Sequence, residues 1–117
     1  MGATVLGLMS GTSADGVDAV LARFDGAPRR PRWRVLNSIH HPYPLPLRQQ
    51  LLDAGQGVSL SAAQWLELRQ EVSEAQASCA AAADPEQKAH LVGCHGQTLW
   101  HQPPQTGQCG ASWQLLD

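Results

Sequence analysis

The sequence has few charged residues, and their balance argues against one large class of function. Charged side chains make up 15% of the 117 residues, the net charge is −2, and apolar residues reach an ordinary 43%. Nucleic-acid-binding domains usually carry a strongly basic surface, so we expect no nucleic-acid partner. The only basic cluster, at 29–34, is typical of a turn followed by the solvent face of a strand. So low a charged fraction also favours a piece of a larger protein, whose remainder covers its other surfaces.

Long apolar runs are missing as well. No stretch approaches the roughly 20 apolar residues that span a bilayer. The N-terminal segment 1–8 has no positively charged region before its short apolar run, which argues against a signal peptide. Gly2 follows the first residue, but Leu6 stands where a myristoylation signal has Ser or Thr. We therefore expect a cytoplasmic protein with no membrane partner.

Cysteine is also scarce, with three residues at wide spacing. An odd number of widely spaced cysteines does not form a disulfide framework. The natural inference is a reducing compartment. The three residues are Cys79, Cys94 and Cys109.

The first third of the chain predicts three antiparallel strands. Apolar runs at 3–8 and 17–24 flank a turn-rich segment, which is typical of a hairpin. Asp25-Gly26 marks the next turn. Apolar and polar residues partly alternate over 32–40, which predicts a third strand with one partly solvent-exposed face. Together the three segments predict a meander.

Two helices are expected next. Pro46 suits the first turn of a helix whose apolar positions include Leu47 and Leu51, and Gly55 or Gly57 can end it. In the second helix, Ser61 and Gln64 match a capping box, and Asp84-Pro85 ends the helix. Its apolar positions recur at steps of three and four: Trp65, Leu68, Val72, Ala75 and Cys79.

The last third predicts strands and a polar loop. Residues 89–93 are expected to form a strand, 94–98 a loop, and 113–115 a final strand. A helical crossover suits a parallel strand added to the meander. The predicted fold class is therefore α/β, with a mixed sheet, an N-terminal antiparallel three-strand meander and helical crossovers. Trp33 and Trp65 are expected in the core, and His40 and His41 at the surface.

The turn-rich segment Gly11–Asp18 is the first candidate site. It combines glycines, which let backbone amides approach an anion, with hydroxyls and two carboxylates, Asp15 and Asp18. A carboxylate beside phosphate needs a cation between them, so this pattern favours nucleotide phosphate with Mg²⁺, Asp15 being nearest the metal or a metal-bound water. The alternative is a hairpin loop of solvated turn residues. The segment matches neither a Walker loop nor G-x-G-x-x-G.

The predicted loop at 94–98 is the second candidate site. Side chains at the carboxyl ends of parallel strands commonly line ligand crevices, so His95 and Gln97 could bind a polar ligand such as a sugar. Alternatively, His95 is a loop residue whose hydrogen bonds are made within the protein, and Gln97 hydrogen-bonds the backbone and fixes its conformation. A zinc site with His101 and Cys109 has the wrong ligand spacing. A Cys94 nucleophile is disfavoured because neighbouring residues on a strand point to opposite sides.

Together the two segments resemble one known family. Residues 6–18 (LGLMSGTSADGVD) closely resemble the opening of anhydro-N-acetylmuramic acid kinases. Residues 92–103 (VGCHGQTLWHQP) resemble the second motif of that family, in which the Cys94 position is often Ser. Residues 112–117 resemble its next strand, which usually carries Gly at position 116. The resemblance runs along the whole chain in order and spacing.

This resemblance implies a fold and an activity. The family belongs to the sugar kinase, heat-shock-70 and actin superfamily, so 1–117 would be a partial N-terminal lobe of an actin-like ATPase fold with the second lobe absent. Its members use ATP and water to open 1,6-anhydro-N-acetylmuramic acid and form N-acetylmuramic acid 6-phosphate, in peptidoglycan recycling. The partner implied is a small amino sugar, and a homodimer of the intact protein is compatible with the family. The competing hypothesis is a non-catalytic ligand-binding or assembly module.

The resemblance also assigns roles to individual residues. The first group would bind the ATP phosphates: Gly11, Thr12, Ser13, Ala14, Asp15, Gly16, Val17 and Asp18. The second group would lie near the sugar: His95, Gly96, Gln97 and Thr98. Asp15 would help to hold Mg²⁺ through water.

Length is the main departure from the family. Its members are roughly three times as long, and the carboxylate that activates water lies in a later Gly-Asp-Thr-Gly-Pro-like segment. We therefore expect the general base beyond residue 117, and we expect no turnover by this chain alone.

Overall fold

The computed structural model describes residues 2–117 as one mixed sheet with two helices. Met1, the first residue of the predicted lobe, lies outside the described residues. The strands are β1 (Ala3–Ser10), β2 (Gly16–Ala27), β3 (Arg30–Pro42), β4 (Leu91–Gln102) and β5 (Ala111–Leu115). The helices are α1 (Leu45–Gly55) and α2 (Ala62–Ala83), both between β3 and β4.

The strand order is β3-β2-β1-β4-β5. β1, β2 and β3 pair antiparallel, which confirms the predicted meander. β4 joins β1 in parallel after the two-helix crossover, and β5 returns antiparallel to β4. The predicted α/β class with a mixed sheet is confirmed, and this architecture agrees with part of an actin-like lobe.

Both helices lie where the sequence signals place them. Pro46 is in the first turn of α1, where a missing amide hydrogen costs nothing. Ser61 caps α2 in a complete capping box. The Ser61 Oγ accepts from the Gln64 amide at 3.2 Å, and Gln64 Oε1 accepts from the Ser61 amide at 2.8 Å. Asp84 then ends α2, as expected. Within residues 2–117, neither helix combines the length and the apolar character of a membrane-spanning helix.

One apolar core joins both helices to one face of the sheet. Leu6 and Leu8 of β1 belong to one buried apolar cluster. The same cluster contains Leu51 of α1 and Leu68 and Val72 of α2. Alternation along β1 and β2 sends the remaining side chains to the opposite face, where large apolar groups are exposed.

Two predictions made from the sequence were wrong. Residues 94–98 do not form a loop: β4 continues to Gln102, because β1 pairs with its first half and β5 with its second. Trp33 is not in the core. It lies on edge strand β3 with 65% of its surface exposed. Trp65 is partly buried against the core, and its ring centroid lies 5.0 Å from that of Trp113.

Candidate functional site

The two candidate segments meet where β1 ends beside the middle of its parallel neighbour β4. β1 ends at Ser10, which pairs in register with Gln97 of β4. Neither motif is close to the other in sequence, so the crossover through α1 and α2 is what brings them together. Carboxyl edges of parallel strands are common ligand sites in α/β folds.

The first segment forms a tight loop, Gly11–Asp15, before β2 begins at Gly16. The Ala14 amide donates to the Gly11 carbonyl at 3.1 Å. Ala14 has φ 52°, a left-handed conformation that is uncommon for alanine. A Cβ at Gly16 would collide with the His41 carbonyl and lie 2.7 Å from Pro42 Cα. Glycine at position 16 is therefore required by the close approach of β3, independently of any ligand.

Four residues of this loop are exposed, and we call them the loop rim: Gly11, Thr12, Ser13 and Asp15. The loop rim presents hydrogen-bond donors to solvent. Thr12 and Ser13 are exposed, and within residues 2–117 their backbone amides donate to no other backbone group. A Cβ added at Gly11 would meet no atom within 4 Å, so a ligand can approach the backbone there. Free amides beside small residues can bind an anion such as phosphate.

Asp15 and Asp18 have different surroundings. The Asp15 carboxylate lies 3.3 Å from Nη2 of Arg48, which also donates to the Ser13 carbonyl at 3.4 Å. Asp18 is on β2, where its carboxylate lies 2.8 Å from Nδ1 of His40. Asp15 therefore belongs to the loop rim, whereas Asp18 belongs to the strand pair. Among the described residues, no three His, Cys, Asp or Glu side chains are grouped so as to hold a metal ion.

Gln97 links the two segments directly. Its side chain is fully buried, and Nε2 donates to the Gly11 carbonyl at 2.7 Å and to the Thr98 carbonyl at 2.9 Å. Thr98 adds a longer bond, from Oγ1 to the Ser10 carbonyl at 3.4 Å. Gln97 Oε1 is buried and has no partner within residues 2–117. Of the Gln97 side-chain atoms, this oxygen is therefore the one left to accept a hydrogen bond from a ligand or a water molecule.

His95 and Gly96 complete the second segment. His95 is exposed, and its Nδ1 lies 3.3 Å from the Gly96 carbonyl. Gly96 has φ 73°, and a Cβ there would lie 2.9 Å from the Leu115 carbonyl. The pairing of β4 with β1 shifts register between Leu8 and Ser10, which face this stretch. Of the four predicted residues, His95 is thus the one whose side chain faces solvent.

A buried polar cluster lies beneath the loop, and the sequence reasoning missed it. Gln76 Nε2 donates to Ser10 Oγ at 3.0 Å and to the Tyr43 hydroxyl at 3.3 Å, and the two hydroxyls are 3.1 Å apart. Cys94 Sγ donates to Gln76 Oε1 at 3.5 Å. We name Ser10, Tyr43 and Gln76 the floor triad.

A sequence signal for this cluster existed. Gln76 stands four residues after Val72 and three before Cys79, so a polar side chain interrupts the apolar stripe of α2. Burial raises the pKa of Tyr43, and the hydrogen bonds from Ser10 and Gln76 offset part of that rise. Burial also raises the pKa of Cys79. Arg48 was missed too, because nothing in the α1 pattern relates it to Asp15.

Comparison with known proteins agrees with the two motifs. The family model described as anhydro-N-acetylmuramic acid kinase matches residues 3–117. A protein of that name from Synechococcus sp. (strain CC9605) is 62% identical over 111 residues, which are 95% of this chain and 29% of that protein. Another from Prochlorococcus marinus (strain MIT 9303) is 58% identical over 112 residues, 96% of this chain and 30% of that protein.

These matches also show what share of a relative's length the chain covers. It spans about 30% of the length of the curated relatives that it matches. Because the family model covers nearly all of the chain, the chain belongs to the anhydro-N-acetylmuramic acid kinase family.

Proposed function

We propose that the intact protein is an ATP-dependent kinase that opens 1,6-anhydro-N-acetylmuramic acid hydrolytically and phosphorylates it to N-acetylmuramic acid 6-phosphate, in peptidoglycan recycling. Family membership supports the kinase, and one structural observation supports the site. Both family-like segments meet at the carboxyl end of β1, where Ser10 pairs with Gln97 in the middle of β4. The chain would form part of the N-terminal lobe, and the second lobe would lie in the remainder of the protein.

The loop would hold the phosphates of ATP. The exposed amides and hydroxyls of Thr12 and Ser13 supply donors, and Gly11 leaves room for close approach. We assign the whole segment Gly11–Asp18 to this role, with Gly16 and Val17 acting through the strand that supports the loop. ATP supplies the transferred phosphoryl group when it is bound.

Asp15 would contribute to a Mg²⁺ site. Its side chain is 61% exposed. Proteins usually bind Mg²⁺ through one or two carboxylates together with phosphate oxygens. The donor type and exposure therefore fit this ion. Without nucleotide, the Arg48 guanidinium balances the charge of Asp15 at 3.3 Å. Bound Mg²⁺ would neutralise the phosphate charge.

The segment His95–Thr98 would lie beside the sugar. His95 offers ring nitrogens to solvent and can hydrogen-bond hydroxyl groups. The carboxylate that activates water is not assigned to any residue of this chain. Because that base and the adenine site would lie in the remainder of the protein, the 117-residue chain alone should show no turnover.

Location and assembly follow as further parts of the proposal. Cys79, Cys94 and Cys109 are all free thiols, which suits the reducing cytoplasm. A homodimer of the intact kinase stays a prediction, which sedimentation of the intact protein would test.

A chimeric kinase tests the assignment. Residues 3–117 replace the matching segment of the Synechococcus relative, and ATP-dependent phosphorylation of the anhydro sugar is measured. We expect turnover by the chimeric kinase and none by the 117-residue chain. A folded chimeric kinase without activity, or measurable turnover by the chain alone, would contradict the proposal. Binding of the sugar without phosphorylation would favour the ligand-binding module instead.

A further inference from the structure

We propose that Tyr43 and Gln76 are positioning residues that fix the conformation of the phosphate loop through Ser10. This inference rests on the proposed function for its kinetic consequence, although its structural part does not. Neither residue belongs to the two family-like motifs. Tyr43 lies between β3 and α1, and Gln76 lies in the middle of α2.

Burying the polar groups of the floor triad is costly. Ser10, Tyr43 and Gln76 are each at most 4% exposed. A buried amide or hydroxyl is unfavourable unless its hydrogen bonds are made, and an apolar residue at position 76 would simply continue the stripe of α2. A fully connected polar cluster can specify one geometry where an apolar contact permits several.

The floor triad contacts the chain at both ends of the loop. Ser10 is the last residue of β1, immediately before the loop. Tyr43 also reaches the other end, because its backbone amide donates to the Asp15 carbonyl at 3.1 Å. Gln76 therefore fixes Ser10 at the loop entrance, and Tyr43 contacts both the entrance and the exit.

The loop has little packing of its own. Its rim residues Gly11, Thr12, Ser13 and Asp15 are exposed, and only Ala14 is buried. The left-handed backbone of Ala14 carries strain that the surroundings must hold. Loss of the floor triad should therefore release this loop before it unfolds the sheet.

The test uses the intact chimeric kinase with Gln76→Met and Tyr43→Phe. Gln76→Met removes both donated bonds at similar volume, whereas Tyr43→Phe removes one hydroxyl and leaves the bond from Gln76 to Ser10. We expect the ATP KM to rise about tenfold for Gln76→Met and about threefold for Tyr43→Phe, since one tenfold step equals about 1.4 kcal/mol. The sugar KM should not change. Gln70→Met, an exposed glutamine on the same helix, is the matched control.

Hydrogen exchange separates the two parts of the inference. The Ala14 amide should exchange about tenfold faster in Gln76→Met than in Gln70→Met, while the core amide of Leu21 is unchanged. Faster exchange with an unchanged ATP KM would support the positioning role and overturn the phosphate assignment of the loop.

A double-mutant cycle tests the route through Ser10. In a Ser10→Ala background, Gln76→Met should change the ATP KM by less than about twofold, because coupled residues are not additive. Additive effects would overturn the proposed route. Unchanged Ala14 exchange and unchanged ATP KM in both single variants would overturn the proposal as a whole. If Gln76→Met fails to fold, the same two measurements on Tyr43→Phe still test the proposal.

Discussion

The hydroxyl of Tyr43 lies 3.1 Å from Oγ of Ser10, and its backbone amide lies 3.1 Å from the carbonyl of Asp15. One buried residue thus contacts the chain on both sides of the loop that carries the first family-like motif. Burial of this hydroxyl opposes its ionisation, which gives the stability of the fold a measurable dependence on pH.

Tyr43 should titrate above the ordinary tyrosine pKa. Burial raises this pKa from 10.0, because the phenolate is poorly solvated in the core. A group with a raised folded pKa stabilises the fold fully below its unfolded pKa and loses that contribution as pH rises through the folded value. Stability should therefore be unaffected by the ionisation of Tyr43 below pH ~10 and should fall above it.

The measurement is direct because Tyr43 is the only tyrosine in the chain. Phenolate absorbance should have its midpoint above the ordinary pKa of 10.0 and should coincide with the loss of folded structure. Tyr43→Phe should remove this part of the pH dependence while the buried Cys79 thiol, whose pKa is also raised, retains its own. Titration at the ordinary pKa with the fold intact would contradict burial of the hydroxyl.

Leu68 and Leu66 offer a matched pair on α2. Leu68 is 4% exposed in the core, whereas Leu66 is 54% exposed two residues earlier. Leu68→Ala should lower the free energy of unfolding by about 3 kcal/mol, because a buried leucine loses its transfer energy and leaves a cavity. Leu66→Ala should cost less than about 0.5 kcal/mol in urea denaturation. Equal losses would show that α2 packs on the sheet with a different face.

Gly96 should not tolerate a side chain, whereas Gly93 on the same strand should. Gly96 has φ 73°, and an added Cβ would lie 2.9 Å from the Leu115 carbonyl, whereas a Cβ at Gly93 meets nothing within 4 Å. Gly96→Ala should destabilise the chain by about 2 kcal/mol through backbone strain and the displacement of β5. Gly93→Ala should leave the thermal unfolding temperature unchanged or raise it slightly. The reverse order would refute the pairing of β4 with β5 at this point.

Local signals predicted much of this fold. The Ser61–Gln64 capping box marks the start of α2 correctly because capping is decided by residues three apart. The hairpin of β1 and β2 follows from two apolar runs around a turn-rich segment. In each case the decisive contacts lie within a short stretch of sequence.

Long-range contacts decided what the sequence did not predict. Residues 94–98 look like a polar loop, yet they form a strand because β1 and β5 satisfy their backbone groups from both sides. Trp33 is exposed on edge strand β3, and its residue type carries no information about the strand order that places it at the edge. The floor triad joins positions 10, 43 and 76, and only the fold brings them together.

We propose that Gly11–Asp18 handles phosphate in the intact kinase, and Asp15→Asn in the chimeric kinase tests this role most directly. This substitution removes the charge that would help to hold Mg²⁺ while keeping the side-chain shape. The rate of ATP-dependent phosphorylation of the anhydro sugar should fall by about 10- to 100-fold. The thermal unfolding temperature should change little, because Asp15 is exposed. An unchanged steady-state rate in the folded variant would contradict the account.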